Sequence, residues 1–159
     1  MRLILTVDVA PQKVLSLRRT GDYAEIGSMI REVASYINKQ HIEVIGPPAY
    51  ICHEESPEAV QQAAKAGNAD IEVVFPVVGE VVGHGDMTVY ELPGGEMARI
   101  IHMGPYAELT ETYKELFDWL EKNNLHVTGP MREVYINDPE TTEEEILVTW
   151  IYAPVSPAE

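Results

Sequence analysis

The spacing of apolar residues changes period several times along the chain, and these changes divide it into elements. Residues 2–9 and 12–20 alternate apolar and polar positions as half-buried strands do, with Ala10-Pro11 as the turn between them. From Tyr23 to about Gln40 the period lengthens, and Ile26, Ile30, Val33, Ala34 and Ile37 fall on one side of a helix. Gly46-Pro47-Pro48 breaks that pattern, and 49–54 and 69–77 read as strands. Between them Ser56-Pro57-Glu58 has the form of a helix cap with proline in the first turn. Gly79 to Gly85 reads as a connector. Beyond it, strands at 87–92 and 96–103 flank Pro93-Gly94-Gly95. A helix over about 106–124 carries Leu109, Tyr113, Leu116, Phe117 and Leu120, and strands follow near 132–137 and 145–154.

The second set of elements copies the first. Residues 21–47 align without a gap on residues 104–130, with nine identities that include Gly21 with Gly104, Tyr23 with Tyr106 and Gly46-Pro47 with Gly129-Pro130. Each half reads strand, strand, helix, strand, strand, and each is too small to bury much core alone. The expected fold is α+β: one domain over residues 1–159 built from pseudo-repeats at about 1–78 and 84–156. Its sheet is mostly antiparallel with both helices on one face, and a ligand cleft lies on the pseudo-dyad.

Strand alternation then assigns side chains to faces. In the last strand of each half the mainly apolar rows Ile71, Val73, Phe75 and Thr149, Ile151, Ala153 are expected to meet the helices. In the strand before, Val134 and Ile136 are expected to do the same, which turns Glu133 and Tyr135 away; their repeat partners are Tyr50 and Cys52. One face is therefore expected to gather Tyr50, Cys52, Glu72, Glu133, Tyr135, Trp150 and Tyr152. Aromatic faces attract flat apolar groups and cations, and a carboxylate among them counters positive charge or becomes a proton donor or acceptor. The plainer alternative leaves Glu72 and Glu133 on solvated strand edges.

Composition narrows the function classes. With 11 basic and 26 acidic residues the net charge is −15, a field that repels phosphate backbones and draws cations, so no direct nucleic-acid binding is expected. No apolar run is long enough to span a membrane, and the N-terminal stretch meets Asp8 too early for a secretory signal. The single cysteine, Cys52, permits no internal disulfide and fits a reducing, cytoplasmic setting. His41, His53, His84, His102 and His126 show no paired ligand spacing, so neither a metal nor another cofactor is expected. His102 reads as structural, and Tyr23 and Tyr106 as packing pivots at the helix starts.

Several stretches together resemble the GyrI-like effector-binding domains, also called AraC-type or multidrug-effector-binding domains. They are Gly46-Pro47-Pro48-Ala49-Tyr50, Asp70-Ile71-Glu72-Val73-Val74-Phe75-Pro76-Val77 and Leu92-Pro93-Gly94-Gly95-Glu96-Met97-Ala98. His102-Met103-Gly104-Pro105-Tyr106, Gly129-Pro130-Met131-Arg132-Glu133-Val134-Tyr135-Ile136-Asn137-Asp138-Pro139 and Ile151-Tyr152-Ala153-Pro154-Val155 complete the set. The resemblance implies a tandem repeat of strand–helix–strand–strand modules whose cleft binds small, often hydrophobic and cationic, molecules. It also implies that Glu133 is the central acid of an aromatic pocket. Family members often carry Glu after the Thr of the final strand, where this chain has Trp150 after Thr149.

The expected function is a stand-alone effector- or drug-binding domain for a hydrophobic or cationic small molecule, lined by Tyr50, Glu72, Glu133, Tyr135 and Trp150. Two other functions fit the resemblance. One is hydrolysis of a reactive electrophile, such as a cyclopropanoid compound, with Glu133 as catalytic general base. The other is action on a protein partner, either inhibition of DNA gyrase or service to a transcription regulator.

Overall fold

The computed structural model describes residues 2–158. Its elements run β1 (Ile4–Val9), β2 (Gln12–Gly21), α1 (Ile26–Gln40), β3 (Glu43–Val44), β4 (Ala49–Cys52), α2 (Pro57–Ala66) and β5 (Ala69–Val78). The second series is β6 (Met87–Leu92), β7 (Gly95–Met103), α3 (Leu109–Lys122), β8 (Leu125–Val127), β9 (Met131–Tyr135) and β10 (Val148–Pro157). These match the pattern read from the sequence, with β3 and β8 added as short strands. The fold is α+β and mostly antiparallel, as expected. Among the described residues no helix is long and apolar enough to cross a membrane.

Local chemistry sets the helix ends. Asp22 accepts a hydrogen bond from the Ala24 amide at 2.9 Å, and Glu25 accepts one from the Asp22 amide at 2.7 Å. This reciprocal cap satisfies donors that the first helical turn leaves open. It opens the single-turn 3₁₀ segment Tyr23–Glu25 that leads into α1. α1 ends at His41, whose φ of 53° lies in the left-handed region. The matching 3₁₀ turn before α3 begins at Pro105, which provides no side-chain cap. Ser56 caps α2 by accepting from the Ala59 amide at 3.1 Å, as its Ser-Pro-Glu signature predicts.

The chain packs as two compact units that do not coincide with the sequence repeats. One comprises the N-terminal residues up to Ala10 together with Gly94 onward, and the other spans Pro11–Pro93. In the Pro11–Pro93 unit β5 pairs with β4 and β2, β2 also pairs with β6, and β3 joins one end of β5. In the other unit β7 pairs with β1 and β10, while β9 and β8 pair with β10. Every one of these pairings is antiparallel. β1 and β6, the first strands of the two repeats, have thus changed places: β1 pairs with β7 and β6 with β2.

Each unit sets its long helix against one sheet face. α1 packs on β5 and β2, over Leu15, Leu17, Ile71 and Val73, all fully buried. Arg19, in register with Ile71 and so on the same face, reaches Glu32 of α1 at 2.7 and 3.0 Å. The connector is tied to this helix as well, because the Tyr36 hydroxyl donates to the Val82 carbonyl at 2.6 Å. Gly83 packs so closely that a Cβ there would stand 2.1 Å from the Met87 carbonyl oxygen. In the other unit Leu116 and Leu120 of α3 join Ala98, Ile100, Ile151, Ala153 and Val155 in one core cluster.

Register corrects the expected faces. Ile151, in the α3-facing core, lies directly across from Glu133, and Thr149 lies across from Tyr135. Residues directly opposite in an antiparallel pair share a face, so Glu133 and Tyr135 point toward α3. Val134 shares the other face with Trp150. In the Pro11–Pro93 unit Tyr50 is opposite Val73 and Cys52 opposite Ile71, so both face α1, whereas Glu72 is opposite Ile51 on the far face. The expected gathering of Tyr50, Cys52, Glu72, Glu133, Tyr135, Trp150 and Tyr152 on one face does not form. The cause is a one-residue choice of parity in β9 and β4, which exchanges the faces of every side chain in a strand.

Candidate functional site

Glu133 is the centre of a polar cluster on the α3 side of its unit. Its Oε1 accepts from the Tyr135 hydroxyl at 2.9 Å, and its Oε2 accepts from the Tyr113 hydroxyl on α3. The Tyr135 ring in turn meets the edge of Tyr106, with centroids 5.6 Å apart at 61°. Tyr113 stacks along α3 on Phe117 at 6.3 Å. The packing around the Glu133 carboxyl pushes its pKa above the ordinary carboxylate range, and the two tyrosine hydroxyls only partly pull it back. The arrangement is a carboxyl whose neutral form is favoured by its surroundings, with a tyrosine hydroxyl at each oxygen and Tyr106 packed behind Tyr135.

His102 braces this cluster. It is fully buried, with Nε2 3.0 Å from the Pro105 carbonyl and Nδ1 2.6 Å from the Thr112 hydroxyl. A carbonyl can only accept, so Nε2 carries a proton, and Thr112 completes the pair at Nδ1. The imidazole thereby ties the end of β7 to the start of α3, the structural role its sequence position suggests. Thr149 stands between His102 and Tyr135 in the cross-strand row.

The Pro11–Pro93 unit carries two separate polar groupings. On the α1 face Tyr50, only 4% exposed, meets Tyr23 edge-on at 6.4 Å and 87°. The Tyr23 hydroxyl donates to Glu54 Oε1 at 2.7 Å, and Glu54 Oε2 accepts from the Asp70 amide at 3.0 Å. Burial raises the Tyr50 pKa far above the usual phenol value. On the far face Glu72, 3% exposed, accepts from Ser16 at 2.6 Å and Tyr90 at 2.5 Å, with His53 Nε2 at 2.8 Å. Burial alone would raise its pKa, but the bonds from His53, Ser16 and Tyr90 outweigh that and hold it below the ordinary range. Glu72 is therefore a fully occupied, ionised carboxylate.

Of the five residues expected to line one site, Glu133 and Tyr135 come together. Trp150 lies on the opposite face of their sheet, where the Arg99 guanidinium sits 4.9 Å from its ring centroid and Tyr152 lies 6.5 Å away. Its aromatic face already holds a cation from the chain itself. Within the Pro11–Pro93 unit Tyr50 and Glu72 occupy opposite faces. Tyr113 escaped the sequence reading because it sits in the apolar stripe of a helix. The signal was there in the repeat: Tyr113 aligns with Ile30, so a hydroxyl enters a row that is aliphatic in the other half.

Comparison with known proteins places this geometry in context. A family model described as a GyrI-like small molecule binding domain matches residues 6–156. No curated protein matches the chain in a sequence search. Among solved structures, the C-terminal domain of EcmrR superposes with a TM-score of 0.87 at 20% identity, over 99% of each chain. In the EcmrR–DNA complex the TM-score is 0.86, and the chain spans 58% of the length of EcmrR. A hydrolase from Listeria innocua gives 0.67 at 16% identity, covering 96% of this chain and 91% of that one. SAV2435 bound to tetraphenylphosphonium gives 0.61 at 13% identity, covering 97% and 94%. At these identities the likeness is one of fold.

Proposed function

Because the chain belongs to the GyrI-like small-molecule-binding domain family, we propose that its ligand is a small lipophilic cation held at Glu133. The observation that carries this reading is the half-buried Glu133 carboxyl, with tyrosines at both oxygens and a pKa raised by desolvation. A carboxyl in that setting gives up its proton when a cation arrives to balance the charge. The rings of Tyr106, Tyr113 and Tyr135 add faces to which a desolvated cation is drawn, at roughly 0.5–2 kcal/mol each. The net charge of −15 raises the local concentration of cations around the whole molecule. Glu72 and Trp150 fall outside this reading, since the bonds and the Arg99 stack described above already engage them.

Tetraphenylphosphonium is the direct probe. Calorimetric titration should give saturable binding to the wild type, weakened about 30-fold or more in Glu133→Gln, the equivalent of roughly 2 kcal/mol for a buried charge pair deprived of one partner. Equal affinity in the two proteins would reject Glu133 as the counter-charge. Hydrolysis is the second reading: a carboxylate whose pKa is raised is a stronger base toward water, and the Tyr113 and Tyr135 hydroxyls fix its orientation. The same variant separates the two: an enzyme keeps its strained-ring electrophile bound and stops forming product, whereas a binder loses affinity and forms none in either state.

A further inference from the structure

Thr149 is 0% exposed, and its hydroxyl meets no hydrogen-bond partner among the described residues. A buried hydroxyl without a protein partner destabilises the fold that holds it. Valine would fill the same space without that cost. The groups beside Thr149 in the cross-strand row already serve other partners. His102 is bonded at both ring nitrogens, and the Tyr135 hydroxyl donates to Glu133. By register Thr149 points to the same side of the sheet as Glu133, one strand over and one residue pair along. Such diagonal neighbours stand about 7–8 Å apart.

We infer that Thr149 is the hydrogen-bonding subsite of the Glu133 site, and that the preferred ligand is a lipophilic cation carrying a carbonyl or ether oxygen about 7 Å from its charge. This rests on the cation-binding reading above and deepens it. The Thr149 hydroxyl has a proton to give, and an uncharged acceptor oxygen takes it at a smaller desolvation cost than a second charged group. A ligand that presents such an oxygen relieves the buried hydroxyl on binding. A bare onium ion does not.

The test compares tetraphenylphosphonium with (4-acetylphenyl)triphenylphosphonium, which adds one carbonyl at a suitable distance, on the wild type, Thr149→Val and Thr149→Ser. The wild type should favour the acetyl probe by about threefold to tenfold, the range of one neutral hydrogen bond. Thr149→Val should bind both probes alike and melt no lower than the wild type, because it removes a hydroxyl that had no partner. Thr149→Ser should restore the preference. The inference is overturned if the wild type binds both probes equally, if Thr149→Val keeps the preference, or if Thr149→Val melts well below the wild type, since the hydroxyl would then have a partner in the free protein. Failure of the wild type to bind either probe would instead overturn the cation-binding reading beneath it.

Discussion

Two glutamates show how residue type alone leaves chemistry undecided. Glu72 is buried and Glu133 half-buried, yet the first is driven below and the second above the ordinary carboxylate range. The difference lies in their partners: three donors, one of them an imidazole, converge on Glu72, and two phenols reach Glu133. Because its folded pKa is lowered, Glu72 contributes stability that is present above its unfolded pKa and is lost as pH falls through the folded one. Ser16→Ala should therefore cost roughly 1–3 kcal/mol in urea unfolding at neutral pH. The cost should shrink in acid as the carboxyl protonates. An equal cost at both pH values would show that Ser16 matters for packing and not for the charge. The sequence pointed to both glutamates as unusual, but it held no sign of which was saturated. Ser16, His53 and Tyr90 lie far from Glu72 along the chain and meet it only through the pairing of β2, β4, β5 and β6.

Element by element, the fold was largely legible. Apolar period, the Gly-Pro breaks and the Ser-Pro-Glu cap located α1, α2 and α3 and the principal strands, because local sterics and amphipathic burial decide those features. Asp22→Ala tests one such device: removing the side-chain half of the reciprocal cap should cost about 1 kcal/mol. The urea midpoint should fall with no change in the denaturant slope. An unchanged midpoint would mean that tertiary packing alone fixes the start of α1. The faces of β9 and β4 were not legible. In β9 the apolar Val134 looked like the core residue, but register places Met131, Glu133 and Tyr135 on the α3 side. Binary patterning fails where a polar group is turned toward the core, and the half-buried Glu133 is such a residue. The same inversion moved Tyr50 to the α1 face.

At the scale of the whole molecule, the internal repeat predicted two similar halves, whereas among the described residues the first series carries α2 between β4 and β5 and the second has no helix between β9 and β10 that matches it. The repeat did not predict the exchange of β1 and β6, since pairing partners of first strands depend on where the chain crosses at Ala10-Pro11 and Pro93-Gly94. Composition was informative in a different way. A net charge of −15 draws cations toward the molecule as a whole, and on the proposed reading Glu133 is the place where one is held. The surroundings raise the Glu133 pKa, and on the proposed reading a bound cation lowers it. Binding must then release protons in the pH window between the two values, and affinity must climb with pH across that window.

The most direct measurement of that coupling is calorimetric titration of the wild-type protein with tetraphenylphosphonium, in two buffers of different ionisation enthalpy and at several pH values. The account predicts proton release on binding, an affinity that falls up to about tenfold per pH unit on the acid side of the free-state pKa, and loss of both effects in Glu133→Gln. Binding that is independent of pH, releases no proton and survives the substitution would contradict it.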